Sequence, residues 1–339
     1  MILIPIKSIV AFKQRASNIP SSKIMPICEY IRVQYADGTC TMTKTNMHSF
    51  VREDFDAEGK GKHDFLIQEI DLFAFASNSK SDFLTMKKTD KGIQLKDDNS
   101  SAPCVTTTDT FPEIETPKDK TIELTPAIIS SIKTAAKMLA SEIDATWRSY
   151  VFIGHKKIIG CDGMIAYCKD CDLDDKIILR KEQIAALPAI GTTYSHSESY
   201  DFFESGRLLY GFSKTEQAFF DMTGAMKTPN DVQFMIPSKE LVSFNEWVLG
   251  VSSKPEFASV CWEPSEGQLK LKGQSSYDEK EVERIIKSAS GPEFKYLPMN
   301  MNKLLKAIDT DVLYCYRGEK NICLTDEKQT FISLVQQIN

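Results

Sequence analysis

His155, Cys161, Cys168 and Cys171 lie close together in the chain, the last two spaced C-x-x-C. Thiolates and an imidazole at such spacing hold zinc when four donors complete a tetrahedral set. No second C-x-x-C follows, and Cys161 to Cys168 reads as strand, turn, strand. The four residues are therefore assigned to core and loop positions, and no metal is expected. The same stretch allows a second chemistry. Cys161 beside Asp162, with His155 nearby, has the residue types of a Cys-dependent enzyme. Nothing else in the chain supports that reading: there is no G-x-S-x-G, no Walker loop and no H-E-x-x-H. Four histidines give sparse acid–base capacity. No catalytic residue and no cofactor is expected.

The basic residues point to phosphate binding instead. The chain is acidic overall, with a formal net charge of −6, but distribution counts for more than the sum. Before Glu29 there is no acidic residue, while Lys7, Lys13, Arg15 and Lys23 are present. A helix over Thr125–Ser141 carries no acid. Thr125 suits its N-cap and Pro126 its first turn. Ile128, Ile129, Ile132, Ala136 and Leu139 form one face of it, and Ser130, Lys133, Thr134, Lys137 and Ser141 the other. A helix near Asn300–Ile308 sets Leu304, Leu305 and Ile308 against Lys303 and Lys306. The acids gather at Glu53–Asp56, Asp97–Asp98, Asp170–Asp175 and Asp278–Glu283, read as loops and strand ends. Two further helices break the basic pattern, one with Glu69 and Asp71, the other with Glu240 and Glu246. The bland alternative is a set of ordinary solvated helix faces.

The elements that carry these residues follow one programme three times. A helix (Ile6–Ser17) leads to a hairpin (Tyr30–Thr43), a strand and helix (Asp64–Ser77), and a second hairpin (Phe83–Leu95). The order recurs from Thr125, with strands at Tyr150–Ile159, strand then helix at Lys176–Leu187, and a hairpin at Tyr200–Phe212. It recurs again from Pro237, with a helix to Val251, hairpins at Ser259–Lys272 and Asp311–Leu324, and Glu293–Asp309 between them. A period of about 110 residues is too long for a solenoid, so the chain reads as three domains, 1–118, 119–231 and 232–339. Length of 339 residues, 42% hydrophobic and 26% charged content are ordinary for a globular protein. No apolar run spans a membrane. The opening Met1–Lys7 lacks the basic region and cleavage site of a signal peptide. Nine scattered cysteines, mostly within alternating strand patterns, fit buried thiols and a cytoplasmic setting.

Several of these segments resemble the bacterial DNA polymerase III β subunit, the β sliding clamp. Tyr35–Asn46, with its Ala-Asp-Gly turn, resembles the hairpin of the clamp's first domain, and Phe111-Pro112 the Phe-Pro that closes that domain. Gly160–Tyr167 resembles the Thr-Asp-Gly stretch of domain two. Gly267–Lys272, Asp278–Glu283 and Met299–Ile308 follow the third domain in order. The resemblance covers nearly the whole chain. It implies an α+β fold of three tandem clamp domains, with helices lining the inside and antiparallel sheets the outside of a ring closed by a head-to-tail homodimer. The implied function is to encircle double-stranded DNA without reading sequence and to tether a polymerase for processive synthesis. Polymerase and clamp loader would bind through short peptide motifs, and neither enzyme activity nor membrane attachment is implied.

The resemblance also implies site residues. Lys13, Arg15, Lys23, Lys133, Lys137, Arg148, Lys303 and Lys306 would face DNA, with Trp147 beside Arg148 as a DNA contact or a core aromatic. Met164, Ile165, Pro229, Leu334 and Val335 would line the partner-peptide pocket. Here the chain departs from the family, carrying Met-Ile-Ala after Asp-Gly in place of His-Arg-Leu, and ending Leu334–Asn339 in place of Met-Pro-Met/Leu-Arg. Pro103, Val105, Thr107 and Val251 are the expected dimer contacts, Pro103–Thr107 as an edge strand seeking a partner. The rival reading is a clamp-fold interaction scaffold that loads on no DNA.

Overall fold

The three runs of the repeat are visible in the element order of the computed structural model. It describes residues 1–22, 24–90, 92–117, 121–140, 146–188, 191–222, 233–318, 321–326 and 330–335. The first run is β1 (Ile2–Pro5), α1 (Ile6–Ala16), β2 (Tyr30–Ala36), β3 (Thr39–Thr45), β4 (Ser49–Asp56), a short β5 (Glu58–Gly59), β6 (His63–Gln68), α2 (Glu69–Asn78), β7 (Phe83–Thr89), β8 (Gly92–Lys96) and β9 (Ser101–Cys104). The second is β10 (Ile122–Leu124), α3 (Pro126–Ala136), β11 (Tyr150–Gly154), β12 (Lys157–Cys161), β13 (Ile165–Asp170), β14 (Ile177–Arg180), α4 (Lys181–Ala186), β15 (Thr192–His196), β16 (Tyr200–Ser205) and β17 (Leu208–Ser213). The third is β18 (Phe234–Pro237), α5 (Ser238–Val251), β19 (Ala258–Ser265), β20 (Gln268–Ser275), β21 (Glu281–Ile286), β22 (Phe294–Tyr296), α6 (Pro298–Leu305), β23 (Val312–Arg317), β24 (Asn321–Thr325) and β25 (Thr330–Val335). Apart from β5, each run has the same eight strands and two helices in the same order.

All pairings are antiparallel, and they form four sheets among the described residues. Their orders are β5-β1-β7-β8-β9, β10-β15-β16-β17-β4-β3-β2-β6, β14-β11-β12-β13-β25-β24-β23-β18 and β21-β20-β19-β22. The chain divides into two compact units, Met1–Ile129 with Ala185–Thr215 and Ser130–Ile184 with Glu216–Asn339. Each eight-stranded sheet joins strands of two successive runs. In the first unit the last strand of run two, β17, pairs with the fourth of run one, β4, placing Tyr210 opposite Val51. In the second unit the last strand of run three, β25, pairs with β13 of run two, placing Leu334 opposite Ile165.

Local chemistry explains the helices. The Thr125 hydroxyl accepts the Ile128 amide at 3.3 Å, capping α3 as its sequence requires. α3 ends at Ala136, five residues short of the expected Ser141. Lys137, Met138 and Leu139 each bond to the carbonyl three residues back, a tightened last turn. Ile129 and Ile132 of α3 are buried, as are Leu304 and Leu305 of α6.

Three of the four acids that break the basic pattern have structural partners. Glu69 lies 2.7 Å from the ammonium of Lys44, which is buried and also donates to the Ala16 carbonyl. The pair ties the end of α1 to the start of α2. Asp71 accepts the Val105 amide at 2.8 Å, and Glu240 lies 3.5 Å from Arg284. In the second unit Trp262 Nε1 donates to Tyr296 Oη at 3.1 Å, and that hydroxyl donates to Asn245 Oδ1 at 3.0 Å, holding α5 on β19 and β22.

Two glycines mark the closest helix–sheet approaches. A Cβ at Gly160 of β12 would stand 2.2 Å from the Ala135 carbonyl oxygen of α3, and one at Gly273 of β20 2.2 Å from Val248 of α5. Only glycine allows these distances.

Candidate nucleic-acid interface

Three of the predicted lysines meet in the second unit. Lys137, Lys303 and Lys306 line a shallow groove of about 320 Å³, with Thr134, Met138, Leu249, Met299, Asn302 and Ala307. The α3 terminus supplies Lys137, and α6 with the turn after it supplies the other two. The last turn of a helix favours cations, and Lys303 occupies that position on α6. Partial burial pushes the Lys303 ammonium down from its ordinary value; Asp162 opposes this and Lys181 adds to it. Its charge is under-solvated, and an anion in the groove would relieve it. The buried Oδ1 of Asn302 has no partner. Three ammoniums around an apolar floor suit an anion such as phosphate.

The other predicted residues are placed as follows. Lys13 is exposed on α1 and donates to Ser77 Oγ at 2.8 Å. Arg15 is ion-paired with the largely buried Glu53, and its backbone carbonyl accepts from Tyr210 Oη, so its guanidinium is engaged within the first unit. Lys133 lies half-buried on α3. Arg148 is exposed, with its Nε 3.4 Å from Thr146 Oγ1. Lys23 and Pro229 lie outside the described residues.

Around the expected peptide pocket, Met164 is 44% exposed, whereas Ile165 is 1% exposed and belongs to the core. Leu334 and Val335 lie on β25, Leu334 facing Ile165 across the ladder. The apolar surface beside Met164 includes residues not assigned to it from sequence. Trp147 is half-buried and stacks on Phe220, with ring centroids 4.3 Å apart and planes 12° from parallel. Gly163, adjoining Met164, sits under Arg148 and Trp147. Phe220 falls in a segment without secondary structure after β17, so no periodicity marked it.

At the expected dimer contacts, Pro103 lies on β9 and Val105 and Thr107 just beyond it. Among the described residues β9 pairs only with β8 and forms an edge of its sheet. Val251 ends α5. Run three's own sheet has β21, Glu281–Ile286, at one edge and β22 at the other, among the described residues. The acids of Asp278–Glu283, read as loop and strand end, extend into β21. Ile286 is buried, Val282 and Arg284 are half-buried, and they alternate with exposed Glu281, Glu283 and Ile285.

The cysteines do not assemble a site. Burial pushes the Cys161 thiol up to about 11 and Cys168 up to about 12, and both pack in an apolar cluster with Phe152 and Ile159. His155 sits in the β11–β12 turn with its ring edge against Phe219. Among the described residues no three His, Cys, Asp or Glu side chains are grouped to hold a metal, and no helix is long and apolar enough to cross a membrane.

No protein-family model matches the chain, and no curated protein matches it in sequence. Solved structures match along its whole length. The Caulobacter crescentus β sliding clamp superposes with a TM-score of 0.87 at 10% identity, covering 100% of this chain and 99% of that one. The β subunit from the DNA polymerase of Streptococcus pyogenes gives 0.82 at 15% identity with the same coverage. The DNA polymerase sliding clamp of Bacillus subtilis gives 0.83 at 11%, again with that coverage. The resemblance read from scattered motifs is borne out at the level of architecture: the chain has the fold of the bacterial β sliding clamps.

Proposed function

We propose that the protein is a non-catalytic sliding clamp that closes into a homodimeric ring around double-stranded DNA and tethers a polymerase. The observation that carries this reading is the bookkeeping of sheet edges. The last strand of run two is joined to the fourth of run one, and the last strand of run three to the fourth of run two. By the same rule the last strand of run one, β9, and the fourth of run three, β21, are each left with one open edge among the described residues. A second copy supplies each with the other, head to tail, and the joints then close on themselves. Each run is one domain in this reading, with boundaries at 1–118, 119–231 and 232–339.

Lys137, Lys303 and Lys306 then contact phosphates electrostatically, joined by Lys13, Lys23, Lys133 and Arg148, while Arg15 serves chiefly to hold Glu53. The surface of Met164 with Trp147 and Phe220 receives short peptides from polymerase and clamp loader, together with Pro229, Leu334 and Val335. Ile165 supports that surface from beneath. Pro103, Val105 and Thr107 meet the partner's β21, and Val251 lies at the end of the helix behind it.

The test is topological. Loaded protein should remain on nicked circular DNA and be lost from the same DNA once linearised, irrespective of base sequence. Lys137→Glu, Lys303→Glu and Lys306→Glu together should remove most retention, and rising salt should weaken what remains. Equal retention on circle and linear fragment defeats the encircling reading.

A further inference from the structure

Phe257 in the loop that follows α5 and Tyr277 in the β20–β21 turn form an exposed aromatic pair with no role in the core. Phe257 is 50% exposed and Tyr277 56% exposed. Their rings stack, 6.1 Å between centroids and 23° from parallel, and Lys254 Nζ lies 3.9 Å above the Tyr277 ring. The loop is fastened to the β20–β21 turn. Ser252 Oγ donates to Ser275 Oγ at 3.0 Å. The Ser253 amide and hydroxyl donate to Asp278 Oδ2 at 2.9 and 3.0 Å. The Ser276 amide donates to the Phe257 carbonyl at 3.3 Å, and Lys280 Nζ to the Val251 carbonyl at 2.9 Å. These bonds hold the two rings in place before any ligand arrives, which lowers the ordering cost of binding.

The same place in the repeat is built alike in the other two runs. Each loop after the first helix enters a short 3₁₀ turn, at Pro26–Glu29, Trp147–Ser149 and Pro255–Phe257. In the second and third runs this turn holds a large aromatic side chain next to a basic residue, Trp147 beside Arg148 and Phe257 near Lys254. Arg148 is already a proposed DNA contact. The third run differs in that Tyr277 of the β20–β21 turn stacks on Phe257, with the Lys254 ammonium over the Tyr277 ring. Paired bases are stacked already and present only their edges. Flat aromatic faces with a cation select unpaired bases, whose rings stack and whose phosphates meet the charge.

We propose that Lys254, Phe257 and Tyr277 form a stacking site for single-stranded DNA, used where a duplex held by the clamp gives way to an unpaired strand. The proposal takes its ligand class from the clamp reading, but its test does not depend on ring closure. The full-length protein is titrated into a labelled oligothymidylate at low salt and followed by fluorescence anisotropy. Phe257→Ala with Tyr277→Ala should weaken binding about tenfold or more. Lys254→Ala should weaken it and lower the salt slope by about one. Phe257→Trp, which keeps a stacking face, should bind like the unaltered protein and guards against a folding defect. Retention on a nicked circle should be unchanged in all of these.

If the unaltered protein binds the oligonucleotide no better than the double alanine variant, the proposal is overturned. It is also overturned if that variant keeps its oligonucleotide affinity but loses polymerase stimulation, because the platform then receives a peptide. If the oligonucleotide binds through the platform while no protein stays on the nicked circle, the stacking site stands and the encircling reading falls.

Discussion

A thiol reacts as its thiolate, and burial suppresses the thiolate here. With its pKa pushed up to about 11, Cys161 is ionised to about one part in a thousand at pH 8. Native protein treated with an aromatic disulfide at that pH should label first at Cys171 and Cys261, which are only half-buried. Cys168, Cys315 and Cys323 should label only on unfolding. Rapid labelling of Cys161 would reopen the Cys-dependent chemistry its sequence allows. Neighbours in sequence are also unequal at Met164 and Ile165. Met164→Glu places a charge at the surface and should change stability by no more than about 0.5 kcal/mol while abolishing peptide binding. Ile165→Glu buries an unpaired carboxylate and should cost on the order of 4 kcal/mol by chemical denaturation. The spacing after Asp162-Gly163 did not separate the exposed residue from the buried one, because both are apolar neighbours, Met164 just ahead of β13 and Ile165 its first residue.

At the scale of elements, the helix faces and hairpin turns were legible because period and turn chemistry are local. Thr125 caps α3, Asp37-Gly38 turns β2 into β3 with positive φ at both residues, and the apolar stripe of α6 is buried as its spacing requires. What escaped was non-local. The acids of α2 and α5 looked like breaks in a basic pattern, but Lys44, Val105 and Arg284, their partners, lie far away in sequence. The glycines of β12 and β20 were equally silent, since a close approach belongs to the packed pair and not to either strand. They should also respond differently to substitution. At Gly160 a methyl meets the α3 backbone, which cannot step aside, so Gly160→Ala should cost about 3 kcal/mol, at the upper end for overpacking. At Gly273 the obstacle is the Val248 side chain, so Gly273→Ala should cost about 1 kcal/mol and Val248→Ala should relieve part of it. Urea denaturation of the two single variants and the Gly273/Val248 double variant decides the matter.

For the whole molecule, the triple repeat was legible from the order of strands and helices, but the free edges were not. Which strand lacks a neighbour depends on pairings between runs. In isolation the acids leading into β21 read as loop and strand end. The edges make a prediction that distinguishes a head-to-tail ring from any face-to-face dimer. Val105 beside β9 is 53% exposed and Ile285 on β21 is 51% exposed, so Val105→Asp and Ile285→Asp each burden one edge with charge while sparing the fold. In a head-to-tail dimer both joints contain one β9 and one β21, so either variant alone burdens both joints and should run as a monomer. Mixing the two restores one joint. The unaltered β21 of the Val105 variant meets the unaltered β9 of the Ile285 variant, while the second joint carries both charges and stays open. Light scattering on the mixture should therefore report a dimer where each component alone gives a monomer. That dimer, open at one joint, should fail to stay on nicked circular DNA. A face-to-face dimer, in which β9 meets β9, would give a dimer for the Ile285 variant alone, and mixing would recruit none of the Val105 variant into it. That pattern would defeat the ring.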